Sequence, residues 1–125
     1  MTDTKAPTTD SANSVEVYFV SLKDGDVVSS PLRVVFGLRG MGVAPAGVDA
    51  KNSGHHHLLI DVDELPDLTA PLPATDNVRH FGGGQTETSI ELSPGEHSLQ
   101  LLLGNFIHVP HSPPVMSPKI TVTVQ

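Results

Sequence analysis

Three observations predict an all-β domain, an antiparallel sandwich of two sheets. Apolar residues recur at every second position in short runs, the period of a strand with one buried face. Clusters of Gly, Pro, Asp and Ser punctuate those runs, as turns require. No long stretch carries the period of an amphipathic helix. A chain of 125 residues has room for one such domain with a real core.

The elements follow in order. Residues 1–14 (MTDTKAPTTDSANS) are small, polar and rich in Ser and Thr, and read as a disordered leader ahead of a single domain over residues 15–125. The leader suits either a chain freed of a signal peptide or a cytosolic one. The first strand is expected over residues 15–20, ended by the turn signal Asp24-Gly25-Asp26. Leu32, Val34, Phe36 and Leu38 alternate with Arg33, Val35, Gly37 and Arg39, which makes a strand with one apolar face. Residues 55–62 form the next strand. Over residues 86–92, Thr88, Ile90 and Leu92 face inward while Glu87, Ser89 and Glu91 face out. The Ser93-Pro94-Gly95 turn leads into a strand over residues 97–103, and residues 119–125 close the chain with Ile120, Val122 and Val124 on one face. Six or seven short strands with turn-separated spacing fit an immunoglobulin-like sandwich, with a closed barrel as the alternative.

Composition narrows the function. Aromatics are 4% of residues and Trp is absent, so stacking platforms for single-stranded nucleic acid or sugar rings are not expected. A formal charge of −7 repels nucleic acid and anionic membranes, and no apolar stretch is long enough to span a bilayer. The sequence holds no cysteine, which removes thiolate metal sites, disulfides and cysteine nucleophiles. Imidazole, carboxylate and the thioethers of Met41 and Met116 are the metal-binding groups that remain.

The run Gly54-His55-His56-His57-Leu58-Leu59-Ile60-Asp61 is the most informative segment. On a strand, His55 and His57 share a face with Leu59 and Asp61, while His56 shares the other with Leu58, Ile60 and Val62. Two imidazoles at i and i+2 stand about 6–7 Å apart at their Cα atoms, so both rings can turn onto one ion. A metal site is therefore expected at His55 and His57, with His108 as third ligand and His80 or His111 as fourth. His56, on the core side, is expected to be a structural imidazole hydrogen-bonded to a backbone carbonyl. His97, following Pro94-Gly95, is expected to tie down a turn. Asp61 and Glu87 are candidates to orient a ligand ring, and Glu87 also a candidate general base. The other reading of every loop histidine is a brace for segments whose prolines lack an N–H.

Three irregular segments, residues 39–53, 63–84 and 105–118, interrupt the strands and carry most of the remaining histidines. Long ordered loops in a compact domain are often functional. The glycines at 82, 83 and 84 lack the Lys-Ser/Thr and the helix that a phosphate cradle needs. There is no Gly-x-Ser-x-Gly elbow and no recognisable pair of carboxylates, and nothing in the sequence points to a Ser-His-Asp site.

Several motifs carry resemblances. The stretch Pro94-Gly95-Glu96-His97-Ser98-Leu99 resembles a turn-and-strand corner of bacterial immunoglobulin-like domains. GLRGMGVAPAG (37–47), GHHHLLID (54–61), HFGGGQTETSIEL (80–92), PGEHSLQLLLGN (94–105) and HVPHSPPVMSPKITVTV (108–124) together resemble a bacterial family, domain of unknown function 4399. That resemblance implies a secreted or periplasmic β-sandwich and implies no particular activity. The strand His-x-His is loosely similar to the copper–zinc superoxide dismutases, but the chain lacks their disulfide cysteines and zinc-loop spacing.

The function expected from the sequence is a secreted or periplasmic module that binds a transition metal ion, copper before zinc. Its rivals are an interaction module whose histidines only brace loops, and a small metalloenzyme with an open metal site.

Overall fold

A computed structural model describes residues 15–125. The leader expected over residues 1–14 lies outside the described residues. Nine strands are present among the described residues: β1 (Glu16–Phe19), β2 (Val27–Val28), β3 (Leu32–Arg39), β4 (Gly42–Val43), β5 (Ser53–Ile60), β6 (Val78–His80), β7 (Glu87–Ile90), β8 (Gly95–Gly104) and β9 (Ile120–Val124). They form two sheets, one of order β2-β9-β8-β5-β4 with β6 also paired to β5, the other of order β1-β3-β7. The arrangement is an all-β sandwich and not a barrel. No helix of the described residues is long and apolar enough to cross a membrane.

The long strands stand where alternation placed them. The three short ones, β2, β4 and β6, have two or three residues each, too few for a period to show. Two short pairings, β2 with β9 and β4 with β5, are parallel within the otherwise antiparallel sandwich.

The core between the sheets follows the pleat. Val17, Val34, Phe36 and Ile90 from the small sheet meet Leu58, Ile60, Leu99, Leu101 and Val122 from the large one. Each such buried aliphatic side chain stabilises the fold by roughly 1.5–3 kcal/mol.

The large sheet also buries its outer face. There Leu59 of β5, Val78 of β6 and Leu102 of β8 pack with Leu72, Leu68 and Met116 from the long loops. Strand β5 is consequently covered on both sides, and all of its residues after Ser53 are buried. That double cover separates this strand from the others, and it carries the histidine run.

Candidate metal centre

The register of β5 fixes its imidazoles. His56 lies opposite Leu103 and Leu58 opposite Leu101, on the face toward the small sheet. His55 lies opposite Gly104 and His57 opposite Leu102, on the loop-covered face. On the other edge, His57 is directly opposite His80 of β6. His80 is thus a strand residue, where the sequence pattern suggested a loop.

The fourth imidazole comes from the tight turn that follows β8. The Asn105 side-chain oxygen accepts from the amides of Ile107 and Val109, both at 3.0 Å, and its carbonyl accepts from His108 N–H at 2.9 Å. This holds His108 at φ 66°, a left-handed conformation that costs a non-glycine residue on the order of 1 kcal/mol or more. Leu72 N–H donates to the His108 carbonyl at 2.8 Å, tying the segment over residues 63–84 to the turn.

Three of these rings approach the fourth, His108, through its Nδ1. His108 Nδ1 lies 2.9 Å from His55 Nε2, 3.3 Å from His57 Nε2 and 3.0 Å from His80 Nδ1. A ring nitrogen has one in-plane proton or one lone pair, so it makes one good hydrogen bond. Hydrogen bonding therefore accounts for one of the three approaches at a time and leaves the other two short contacts without a proton between them to share. Two nitrogens bound to one ion at about 2.0–2.1 Å are separated by about 2.9 Å at a right angle and about 3.4 Å at the tetrahedral angle. The three observed separations fall within that range. His55, His57 and His108 each bring a nitrogen within 4.8 Å of the others, and His80 reaches the group through His108.

Packing and electrostatics keep the donors neutral. His55 and His57 are fully buried. Burial, reinforced by His108 and His80, pushes the His55 imidazole down to about 4. Burial and the neighbouring His80, His55 and His108 push His57 down to about 3, against the pull of the Leu102 carbonyl. Burial, then His80, lowers His108. At neutral pH the lone pairs that a metal needs are consequently free of protons. The buried Nδ1 atoms of His55 and His57 find no hydrogen-bond partner.

Two glycines make the space. A Cβ on Gly104 would stand 2.5 Å from His57 Cε1, so only glycine opposite His55 lets the His57 ring lie across the strand. A Cβ on Gly54 would stand 2.7 Å from the Gly104 carbonyl oxygen, so the two strands close up at this end of the sheet.

The model of the family described as Domain of unknown function (DUF4399) matches residues 34–125, which contain all four converging histidines. The chain belongs to this family. No curated protein and no solved structure matches it. The membership agrees with the resemblance read from the GHHHLLID and PGEHSLQLLLGN motifs, both of which lie inside the matched residues.

Other candidates stand apart from this histidine cluster. His111 donates through Nε2–H to the Ser53 carbonyl at 3.3 Å and lines a separate cavity of about 570 Å³ with Met41, Lys51 and Asn52. Glu87 sits on the small sheet, paired with Arg33 at 2.5 Å on the solvent side. It is thereby removed as a partner or base for the cluster. Asp61 turns away at φ 56° and accepts from His97 Nδ1–H at 2.7 Å and from Ser98 N–H at 2.9 Å. Met116 packs in the outer apolar cluster.

His97 ties down its turn as the Pro-Gly context suggested. Its Nε2–H donates to the Ser93 carbonyl at 2.8 Å, with Ser93 Oγ farther away at 3.4 Å. Both ring nitrogens thus act as donors, and Asp61 and the Ser93 carbonyl raise the pKa. Both partners favour the protonated ring, so this Asp61–His97–Ser93 line acts as a clamp on the turn.

His56 departs from the expectation of a carbonyl partner. Neither ring nitrogen has a hydrogen-bond partner, and the ring packs 4.9 Å from the Phe36 ring in the main core. Burial, then His55, pushes it down to about 4, so it is neutral.

Proposed function

We propose that this domain binds one divalent transition metal ion, copper(II) before zinc, through His55, His57 and His108. The observation that carries the reading is the His108 Nδ1 atom, approached by three ring nitrogens within 3.3 Å. A shared cation explains that crowding, whereas hydrogen bonding explains one contact of the three. The all-imidazole donor set suits both ions, and copper(II) binds such sites more tightly. The thioethers give no support to copper, because Met41 lines the separate cavity and Met116 packs against the outer apolar residues. A periplasmic or secreted setting, which the family resemblance implies, belongs to the same proposal.

A bracing role suits His97 and His111, each of which donates to a backbone carbonyl, of Ser93 and Ser53 respectively. It does not suit His55 and His57, whose Nδ1 atoms brace nothing.

The test is thermal melting with and without copper(II) or zinc(II), on the wild type and on a His55→Ala/His57→Ala double variant. With free metal a hundredfold above Kd, the wild type gains about 2.7 kcal/mol, roughly ten degrees for a domain of this size. The double variant gains nothing. A wild-type melt that ignores both metals overturns the proposal.

A further inference from the structure

We propose that His80 is the fourth ligand of this site and the replaceable one, marking the coordination position that an outside nitrogen donor can take. The inference rests on the metal-binding reading above and assigns the four rings unequal parts.

The first observation concerns the proton on His80. Its Nε2–H donates to the Pro73 carbonyl at 2.8 Å, and a neutral imidazole has only one N–H. Its Nδ1 therefore presents a lone pair, and that atom lies 3.0 Å from His108 Nδ1. A ligand ring whose second nitrogen donates to a backbone carbonyl is the usual device for fixing tautomer and orientation at a metal. His80 is thus the ring whose proton is committed to a carbonyl at 2.8 Å while its other nitrogen is held toward the group.

The second observation concerns rigidity. His55 and His57 lie within the eight-residue β5, paired on both edges and fully buried. His80 is the last residue of the three-residue β6, is half-buried, and stands outside the compact grouping of His55, His57 and His108. Drawing it fully onto a shared ion takes a small movement at the end of a short strand. The same movement in reverse opens a position on the solvent side while three nitrogens keep their hold. The class of ligand that fits the opened position is a neutral imidazole-like donor.

The decisive experiment is electron paramagnetic resonance on the copper(II)-loaded chain, counting coordinated nitrogens, together with a copper(II) titration. The wild type is expected to show four nitrogens. His80→Ala should show three and bind roughly ten- to hundredfold more weakly, the penalty usual for disturbing a ligand's support. Millimolar free imidazole should then restore the four-nitrogen spectrum and most of the affinity in His80→Ala, and change neither in the wild type. His80→Gln, whose amide can keep the bond to the Pro73 carbonyl, serves if the alanine variant fails to fold. An unchanged nitrogen count and affinity on losing His80 overturns the assignment as ligand. A folded variant that imidazole cannot rescue overturns the replaceable position. A wild type that takes up no copper(II) overturns the site itself, which is a separate and distinguishable result.

Discussion

The cluster around His108 and the clamp at His97 use the same side chain to opposite ends. At His97 every polar atom is answered: Asp61 takes one proton, the Ser93 carbonyl takes the other, and the ring is stabilised as a cation. At the cluster the rings answer one another with lone pairs, burial removes water, and each neighbouring imidazole makes a positive charge harder to hold. The difference shows that a histidine is a candidate ligand when its surroundings leave a lone pair with no better partner. Spacing in the sequence narrows the choice but does not make it.

The contrast breaks most sharply in acid. The unfolded chain binds protons on His55, His56 and His57 near pH 6.5, whereas the folded chain resists until about 4 for the first two and about 3 for the third. Between those values the unfolded state carries more protons, so stability falls as pH falls. Each unit of difference per group is worth about 1.4 kcal/mol, and all three groups shift in the same direction. The metal-free protein should therefore unfold cooperatively between about pH 6 and pH 4. Circular dichroism across that range checks it, and a domain still folded at pH 3.5 without metal contradicts it.

Leu102→Ala comes next. Leu102 is fully buried, lies opposite His57 and anchors the outer apolar cluster with Leu59, Leu72 and Val78. Truncation should cost about 2–5 kcal/mol in a denaturant melt. It should also weaken metal binding, because the loops bearing Leu72 and Met116 pack on that side chain. A loss of stability with metal affinity unchanged would separate the roof from the site.

Gly104→Ala sharpens the comparison in the other direction. The added methyl meets the His57 ring, and forcing it in should cost about 1–3 kcal/mol and lower metal affinity at least tenfold. The His97 clamp, at the far end of β8, should be untouched, and its histidine resonance should titrate as in the wild type.

Much of this was legible in the residues. The His-x-His face of β5 follows from strand alternation alone, and the long strands follow from theirs. The convergence of His80 and His108 was not, because it depends on β6 pairing with β5 and on the turn that Asn105 ties. Nothing local in Val78-Arg79-His80 announces a strand. His111 and His108 are three residues apart in a proline-rich segment, and only the left-handed turn at His108 decides which one faces the cluster. The full burial of His55 and His57 was hidden for a related reason: the roof over them comes from loops whose sequence shows no period. Glu87 shares a polar stripe with Ser89 and Glu91, and the stripe could not say which sheet would carry it.

The smallest effect belongs to the clamp, and its sign is the useful part. His97 has a raised pKa in the folded state, with the Asp61 carboxylate as the largest cause and the Ser93 carbonyl behind it. Its contribution is fully present below the unfolded value near 6.5 and is lost as pH rises through the higher folded value. Asp61 is well exposed, so solvent screening keeps the gain under about 1 kcal/mol. His97→Gln should therefore lower stability slightly at pH 6 and hardly at all at pH 9. The cluster behaves the other way, losing stability toward acid, so the wild type should have a stability maximum at intermediate pH whose alkaline shoulder alone disappears in His97→Gln. Urea melts at pH 6, 7.5 and 9 read both slopes. If the variant loses as much at pH 9 as at pH 6, the clamp acts through packing and not through charge, and the contrast between the two histidine settings reduces to burial alone.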